Sequence, residues 1–424
     1  MPPAPAAPTT PARSAPPRRV VAARNGVAVV FALNGFAVAS WFARIPAARE
    51  ALGLSPGRLG LLLLALSAGA FLAMLTAGAV VHRVGSPRTT AGATGLVAAG
   101  LVMLGVGVGA WPSVPLTALG LATLGYGSGL ADVAMNVEAA LVERRLHRTV
   151  MPRFHAAWSL GTVSGAVLGA GGAHIGLPLP VHLSLVAGIV LAGTLAGVRH
   201  FLTATPASAA GEEQTAGPAP ATGEERTGSA EPAAGSGVLR AWREPRTLLI
   251  GLLVLVMAFT EGTAMDWIAV AFIDGHGFDE ATGAAVFGVF VAAMTIGRTV
   301  GTVAIDRWGR VPVLLGTIGV ALLGVLVAVL VPTGPVALAG VALWGLGASL
   351  GFPVGMSAAA DEEHRAPARV SVVATIGYTA FLAGPPLVGL LGDQVGTLRA
   401  LLVVPVLLIP ALALVPATRP PVER

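Results

Sequence analysis

The chain has 424 residues, of which 54% are hydrophobic and 11% charged, against about 25% charged in an ordinary soluble domain; a water-soluble globule is excluded. All basic residues are arginine and no cysteine is present, which removes P-loop and Schiff-base chemistry along with disulfides, thiolate nucleophiles and cysteine metal sites. A net charge of +5 raises nucleic-acid binding, but the arginines form no single basic face.

In chain order, the Pro/Ala-rich residues 1–23 are predicted to be a disordered cytoplasmic tail leading into an uncleaved first helix. Apolar runs follow at 24–44, 57–81, 89–110, 113–141, 154–176 and 179–199, placing a first six-helix half at 24–202. Residues 203–243, rich in Ala, Gly, Pro, Thr and Glu, read as a flexible cytoplasmic linker. Six more runs, at 246–273, 281–304, 311–331, 335–360, 368–392 and 397–416, make a second half at 244–424. At about 20 residues per spanning helix, the prediction is an all-α membrane protein of twelve helices in two six-helix repeats.

Arginines fix the expected orientation. Arg18, Arg19, Arg24, Arg83, Arg88, Arg144, Arg145, Arg148, Arg153, Arg240, Arg243, Arg246, Arg307 and Arg310 fall on one side, which the positive-inside rule makes cytoplasmic, with both termini and the linker. Arg44, Arg49 and Arg58, around the first outer connection, break the pattern. A shift of 220 lays Gly125, Gly127, Glu143 and Arg145 on Gly345, Gly347, Glu363 and Arg365, and a shift of 224 lays Arg83 and Gly85 on Arg307 and Gly309. Such parallel repeats belong to transporters that rock about a mid-membrane site.

The connection from Gly78 through His82, Arg83, Gly85 and Arg88 resembles the loop G-x-x-x-D-R-x-G-R-R of the major facilitator superfamily, and Thr302 to Arg310 resembles its second copy. His82 replaces the first aspartate and Thr302 the second glycine, whereas Asp306, Arg307, Gly309 and Arg310 match. The resemblance implies a cytoplasmic latch between the halves, formed by His82, Arg83, Gly85, Asp306, Arg307, Gly309 and Arg310. Gly129 to Asn136, with Glu143 to Arg145 and Phe154 to Gly161, is similar to a branch related to fucose and other sugar permeases. An acid that this branch carries near the end of its first helix is missing here; Asn34 and Arg44 are what the segment offers.

Depth sorts the remaining polar residues. Asp132 lies about 16 Å inside Glu143 at 1.5 Å per residue, near the midplane, with Asn136 one turn on and on the same face. An acid there faces a cavity, pairs or carries protons, and the resemblance implies that Asp132 is the proton carrier. Glu261 lies about 22 Å inside Arg246 and is a second acid for proton coupling or an ion pair. Asp266 is deeper still, with water or Arg44 as its expected partner. Asn34, Asn136 and Tyr378 are candidate solute contacts. Arg298, roughly 12 Å inside Asp306, is assigned to the latch or a charge pair, and His155 and Trp158 to the helix-5 entrance. Gly384-Pro385-Pro386 should kink the eleventh helix.

The expectation is a secondary active transporter in the inner cell membrane that imports a small polar solute such as a sugar with protons. Proton-driven efflux of an amphiphile and a non-transporting receptor are the alternatives. No enzymatic activity, cofactor or metal is expected. The expected partners are solute, protons and the lipid bilayer, with no nucleic acid and no obligate protein partner.

Overall fold

A computed structural model describes residues 18–146, 150–202, 239–362 and 365–420. Among them every regular element is a helix. The first half comprises α1 (Arg18–Phe42), α2 (Pro56–Val84), α3 (Ser86–Gly105, prolonged by a π turn at Val106–Ala110), α4 (Val114–Leu146), α5 (Met151–His174) and α6 (Leu179–Val198). The second comprises α7 (Pro245–His276), α8 (Glu280–Trp308), α9 (Arg310–Leu330), α10 (Gly334–Ala348 and Gly351–Ala359), α11 (Ala366–Val395) and α12 (Thr397–Thr418). Eleven of these twelve are long and apolar enough to cross a membrane; α5, at 24 residues, is the twelfth. The twelve runs read from the sequence thus reappear in place.

Local chemistry sets the ends. Proline occupies the first turn of α2, α3, α5, α6 and α7, where its missing N–H costs nothing. Gly85 and Gly309 close α2 and α8 and open α3 and α9 with φ of 85° and 81°, a conformation open to glycine and strained for other residues. The expected boundaries shift at two points. Helix α1 begins at Arg18 because Val20 and Ala23 are buried, Ala23 in a cluster with Val27, Phe154 and Phe201, so residues 18–23 are not tail. Residues 239–241 are likewise helical, with Ala241 buried, and belong to the second half rather than the linker. The rest of the expected tail and linker lies outside the described residues.

The halves repeat their packing. In the first, α1 lies on α5 and α2 on α4; in the second, α7 lies on α11 and α8 on α10. The halves meet where α2 packs on α11 and α5 on α8, which the repeat makes equivalent pairs. Helix α11 runs through Pro385 and Pro386 without a break, and the Pro385 carbonyl lies where a Cβ on Gly60 of α2 would have to sit.

The seam is sealed at the end opposite the arginine-rich one. There Phe42 meets Phe287 with ring centroids 6.0 Å apart. Arg44 Nε pairs with Glu280 at 2.7 Å, and Arg49, in the short helix Ile45–Ala51, pairs with Asp274. Asp274 also accepts from Thr397 at 2.7 Å. The three-arginine exception to the charge pattern therefore has a structural reason for Arg44 and Arg49: both neutralise acids across the seam.

At the arginine-rich end the second half is tied to itself. Asp361 takes Arg246 at 2.8 Å and Arg310 at 2.6 Å. Glu244 accepts from Arg369 at 2.6 Å and from Thr247 at 3.0 Å. Burial pushes the Glu244 carboxyl up, but the Arg369 and Thr247 hydrogen bonds and the Arg369 and Arg365 charges outweigh it and hold it below the usual carboxylate range. The stability it contributes is present above the ordinary carboxylate pKa and is lost as pH falls through its lowered one.

Candidate functional site

Asp132 stands 14 residues from the inner end of the 33-residue α4, at mid-depth. Its only side-chain partner among the described residues is Asn136, whose Nδ2 donates to the Asp132 backbone carbonyl at 2.8 Å and to its Oδ1 at 3.3 Å. The i,i+4 spacing puts both on one helical face. Asn34 of α1 is buried and accepts from Ser128 Oγ of α4 at 3.2 Å. The structure thus gathers Asn34, Ser128, Asp132 and Asn136 along one stretch of α4, with Asn34 engaged in joining helices.

Across from Asp132 is Tyr378 of α11, close enough for the two to interact electrostatically. Tyr378 lies between Phe352 of α10 and Phe381 of α11, at centroid distances of 6.0 and 6.2 Å. Phe381 in turn covers Gly262, the residue after Glu261. An aromatic strip thereby connects the Asp132 pole in the first half to the Glu261 pole in the second.

At that second pole, Arg298 of α8 donates through Nη2 to both Glu261 oxygens, at 2.8 and 2.9 Å. Helix α10 is interrupted between Ala348 and Gly351, and the break turns the Ser349 carbonyl toward Arg298 Nε at 3.4 Å. Arg298 thus pairs within its own half, at the mid-membrane pole rather than with the loops of the expected latch. His155 of α5 lies within electrostatic reach of Arg298 from the other half and meets Phe31 edge-on at 5.4 Å.

The remaining latch residues are apart from one another. His82, Arg83, Asp306 and Arg307 are exposed, and among the described residues none makes a hydrogen bond or ion pair to the opposite half. Arg307 lies over the Trp308 ring at 5.5 Å, Arg310 is held by Asp361, and Gly85 and Gly309 shape the turns. Asp266 has no hydrogen bond or ion pair among the described residues; the partner expected for it, Arg44, is taken by Glu280.

Reading the sequence missed Glu138. It is fully buried in α4, accepts from Ser86 Oγ at 2.6 Å and from the Leu202 N–H, and so ties α4 to the start of α3 and the end of α6. Its signal was an acid inside an apolar run, six residues after Asp132. Glu143, near the end of the same helix, accepts from the Val150 and Met151 N–H groups at 2.7 Å and caps α5.

The profile described as Major Facilitator Superfamily matches residues 27–366 and 275–424. An uncharacterized transporter of Sinorhizobium fredii, y4wD, is 31% identical over 379 residues, covering 89% of this chain and 93% of that one. The solved structure of a bacterial homologue of the human lysosomal transporter Spinster, inward-facing and unoccupied, superposes with a TM-score of 0.70 at 13% identity over 95% of this chain and 97% of that one. The fucose:proton symporter FucP of E. coli superposes at 0.61 and 16% identity, over 95% of this chain and all of the other.

Proposed function

The chain belongs to the Major Facilitator Superfamily, and on that footing we propose that it is a secondary active transporter importing a small polar solute, such as a sugar, together with protons. The arginine-rich end is cytoplasmic, with both termini and the segment between the halves on that side of the inner membrane. The conformation, sealed at the opposite end by Arg44–Glu280 and Arg49–Asp274, is then the inward-facing one. Rocking the halves about the Asp132–Tyr378 level would break those pairs and expose the site outside.

One observation carries the reading: Asp132 is a mid-membrane carboxylate that among the described residues has no counter-ion and only Asn136 as a side-chain partner, within electrostatic reach of Tyr378 in the other half. An acid kept unpaired at that depth is expensive, and binding a proton relieves it. Protonation from the outside, with solute seated on Asn136 and Tyr378, lets the loaded carrier cross without a bare charge. Glu261 is the second acid on the path. That solved neighbours include a fucose:proton and a D-xylose–proton symporter supports a proton-coupled sugar class as the first to test.

The test is uptake into liposomes with an alkaline interior, screened over labelled sugars and amphiphiles. Asp132→Asn is expected to abolish accumulation against a gradient, a loss of about tenfold or more, while leaving exchange across equal solute concentrations measurable. Uphill uptake by Asp132→Asn equal to that of the parent removes Asp132 as the coupling site.

A further inference from the structure

The Glu261–Arg298 pair has a geometry that a purely structural ion pair does not need. Arg298 meets both carboxylate oxygens through the one nitrogen Nη2, and its Nε reaches Ser349. Its Nη1 has no partner among the described residues, and the side chain is 29% exposed, where the sealing Arg44 is 4%. A guanidinium presents a planar fork of donors matched to the two oxygens of a carboxylate. Here one prong of the fork is occupied by Glu261 and the other is open, at mid-membrane depth and at one end of the aromatic strip.

Resting on the transporter reading above, we propose that Arg298 binds the solute, that the solute is an organic carboxylate, and that Glu261 is the internal carboxylate neutralising Arg298 while the site is empty. When a carboxylate enters, two anions face one guanidinium. At this depth the excess negative charge is removed by a proton on Glu261, so each carboxylate arrives with a proton and the pair is neutral again. Of the charged and titratable groups on the helices around α7, Arg298 of α8 holds Glu261, and His155 of α5 is within electrostatic reach of Arg298. Tyr378 of α11 and Asp132 of α4 interact with one another. Asp266 follows on α7 itself; α10 carries no titratable side chain. The helix Ile45–Ala51 and α12 bring Arg49, Glu50 and Arg399 only to the sealed end.

The experiment is titration of the purified full-length chain with gluconate, glucuronate and lactate, each against its neutral counterpart glucose, methyl glucuronate or lactamide, at pH 6 and pH 8. At least one carboxylate is expected to bind about tenfold more tightly than its counterpart and about tenfold more tightly at pH 6 than at pH 8. Arg298→Gln is expected to erase the preference. Glu261→Gln keeps the shape of the site and is expected to bind the carboxylate with no pH dependence, which decides the matter if Arg298→Gln does not fold. Equal binding of acids and neutral partners, or a pH dependence that survives in Glu261→Gln, overturns the proposal. Proton-driven uptake of a neutral sugar with no carboxylate bound would overturn it while sparing the transporter reading. Carboxylate binding with these mutant effects but no flux of any solute would uphold the Arg298 site and remove the transporter reading instead.

Discussion

Gly161→Leu is expected to yield no folded, monodisperse protein, whereas Gly171→Ala, ten residues further along the same helix, is expected to leave stability unchanged or slightly raised. Helices α1 and α5 touch backbone to backbone. A Cβ at Gly161 would run into the Ala32 carbonyl oxygen, with its carbon at 2.7 Å and the Ala32 Cα at 2.9 Å. Gly35 returns the contact: a Cβ there would run into the Trp158 carbonyl and lie 3.2 Å from the Thr162 nitrogen. Where side chains can shift, overpacking typically costs about 1–3 kcal/mol; here the obstacle is main chain in two helices, and relief requires their separation. Small residues at such crossings are what let membrane helices approach. Nothing lies within 4 Å of a Cβ at Gly171, and alanine is the better helix former there. Size-exclusion profiles and melting curves of the two variants in detergent check this, and a Gly161→Leu protein melting within a few degrees of the parent would contradict the contact.

Glu280→Gln is expected to open the outer end. Arg44 is almost completely buried, donating to the Leu177 carbonyl at 3.2 Å and held by Glu280 across the seam. Removing one member of a buried pair strands the other charge, a cost of about 3–5 kcal/mol in full burial. Because Glu280 is a third exposed, about 1–3 kcal/mol is the expected penalty on the closed form, or roughly tenfold to hundredfold in population. The chain has no cysteine, so a single Phe42→Cys at the seam reports opening without background. Labelling by a membrane-impermeant maleimide from outside should accelerate by that factor when Glu280→Gln is added. For the second pair, Arg49→Asp alone should also accelerate labelling, and Arg49→Asp with Asp274→Arg should restore the slow rate. Equal rates in parent and variants would mean that these pairs do not hold the end shut.

The sequence made the twelve helices legible because each is an apolar run near or above the length of the bilayer core, a signal independent of tertiary contacts. Asp132 with Asn136 was legible for a related reason, since one helical turn joins them. The pairing of Glu261 with Arg298 was not. They are 37 positions apart on different helices, and depths counted from flanking charges put them at different levels, although Glu261 lies in the middle of the 32-residue α7. Glu138 escaped notice because its partners, Ser86 and the Leu202 N–H, are 52 and 64 positions away. Latch residues inferred from loop motifs carry no information about conformation; with the halves closed at the opposite end, those loops have no hydrogen bond or ion pair across the seam among the described residues. Arg44 and Arg49 looked like violations of the charge rule because their acids lie in the other repeat.

That long reach has a consequence for biogenesis. Arg49 is made 225 residues before Asp274, which at 5–20 residues per second is roughly 10 to 45 s of synthesis. Throughout that interval the first half sits in the bilayer with Arg44 and Arg49 at its outer rim and without Glu280 and Asp274, the acids that later pair with them, so its insertion must be governed by the more numerous arginines on the other side. The outer seal is then among the last features to form. A newly made chain would pass first through a state with its outer rim unfastened, and arrival of the α7–α8 hairpin would fasten it.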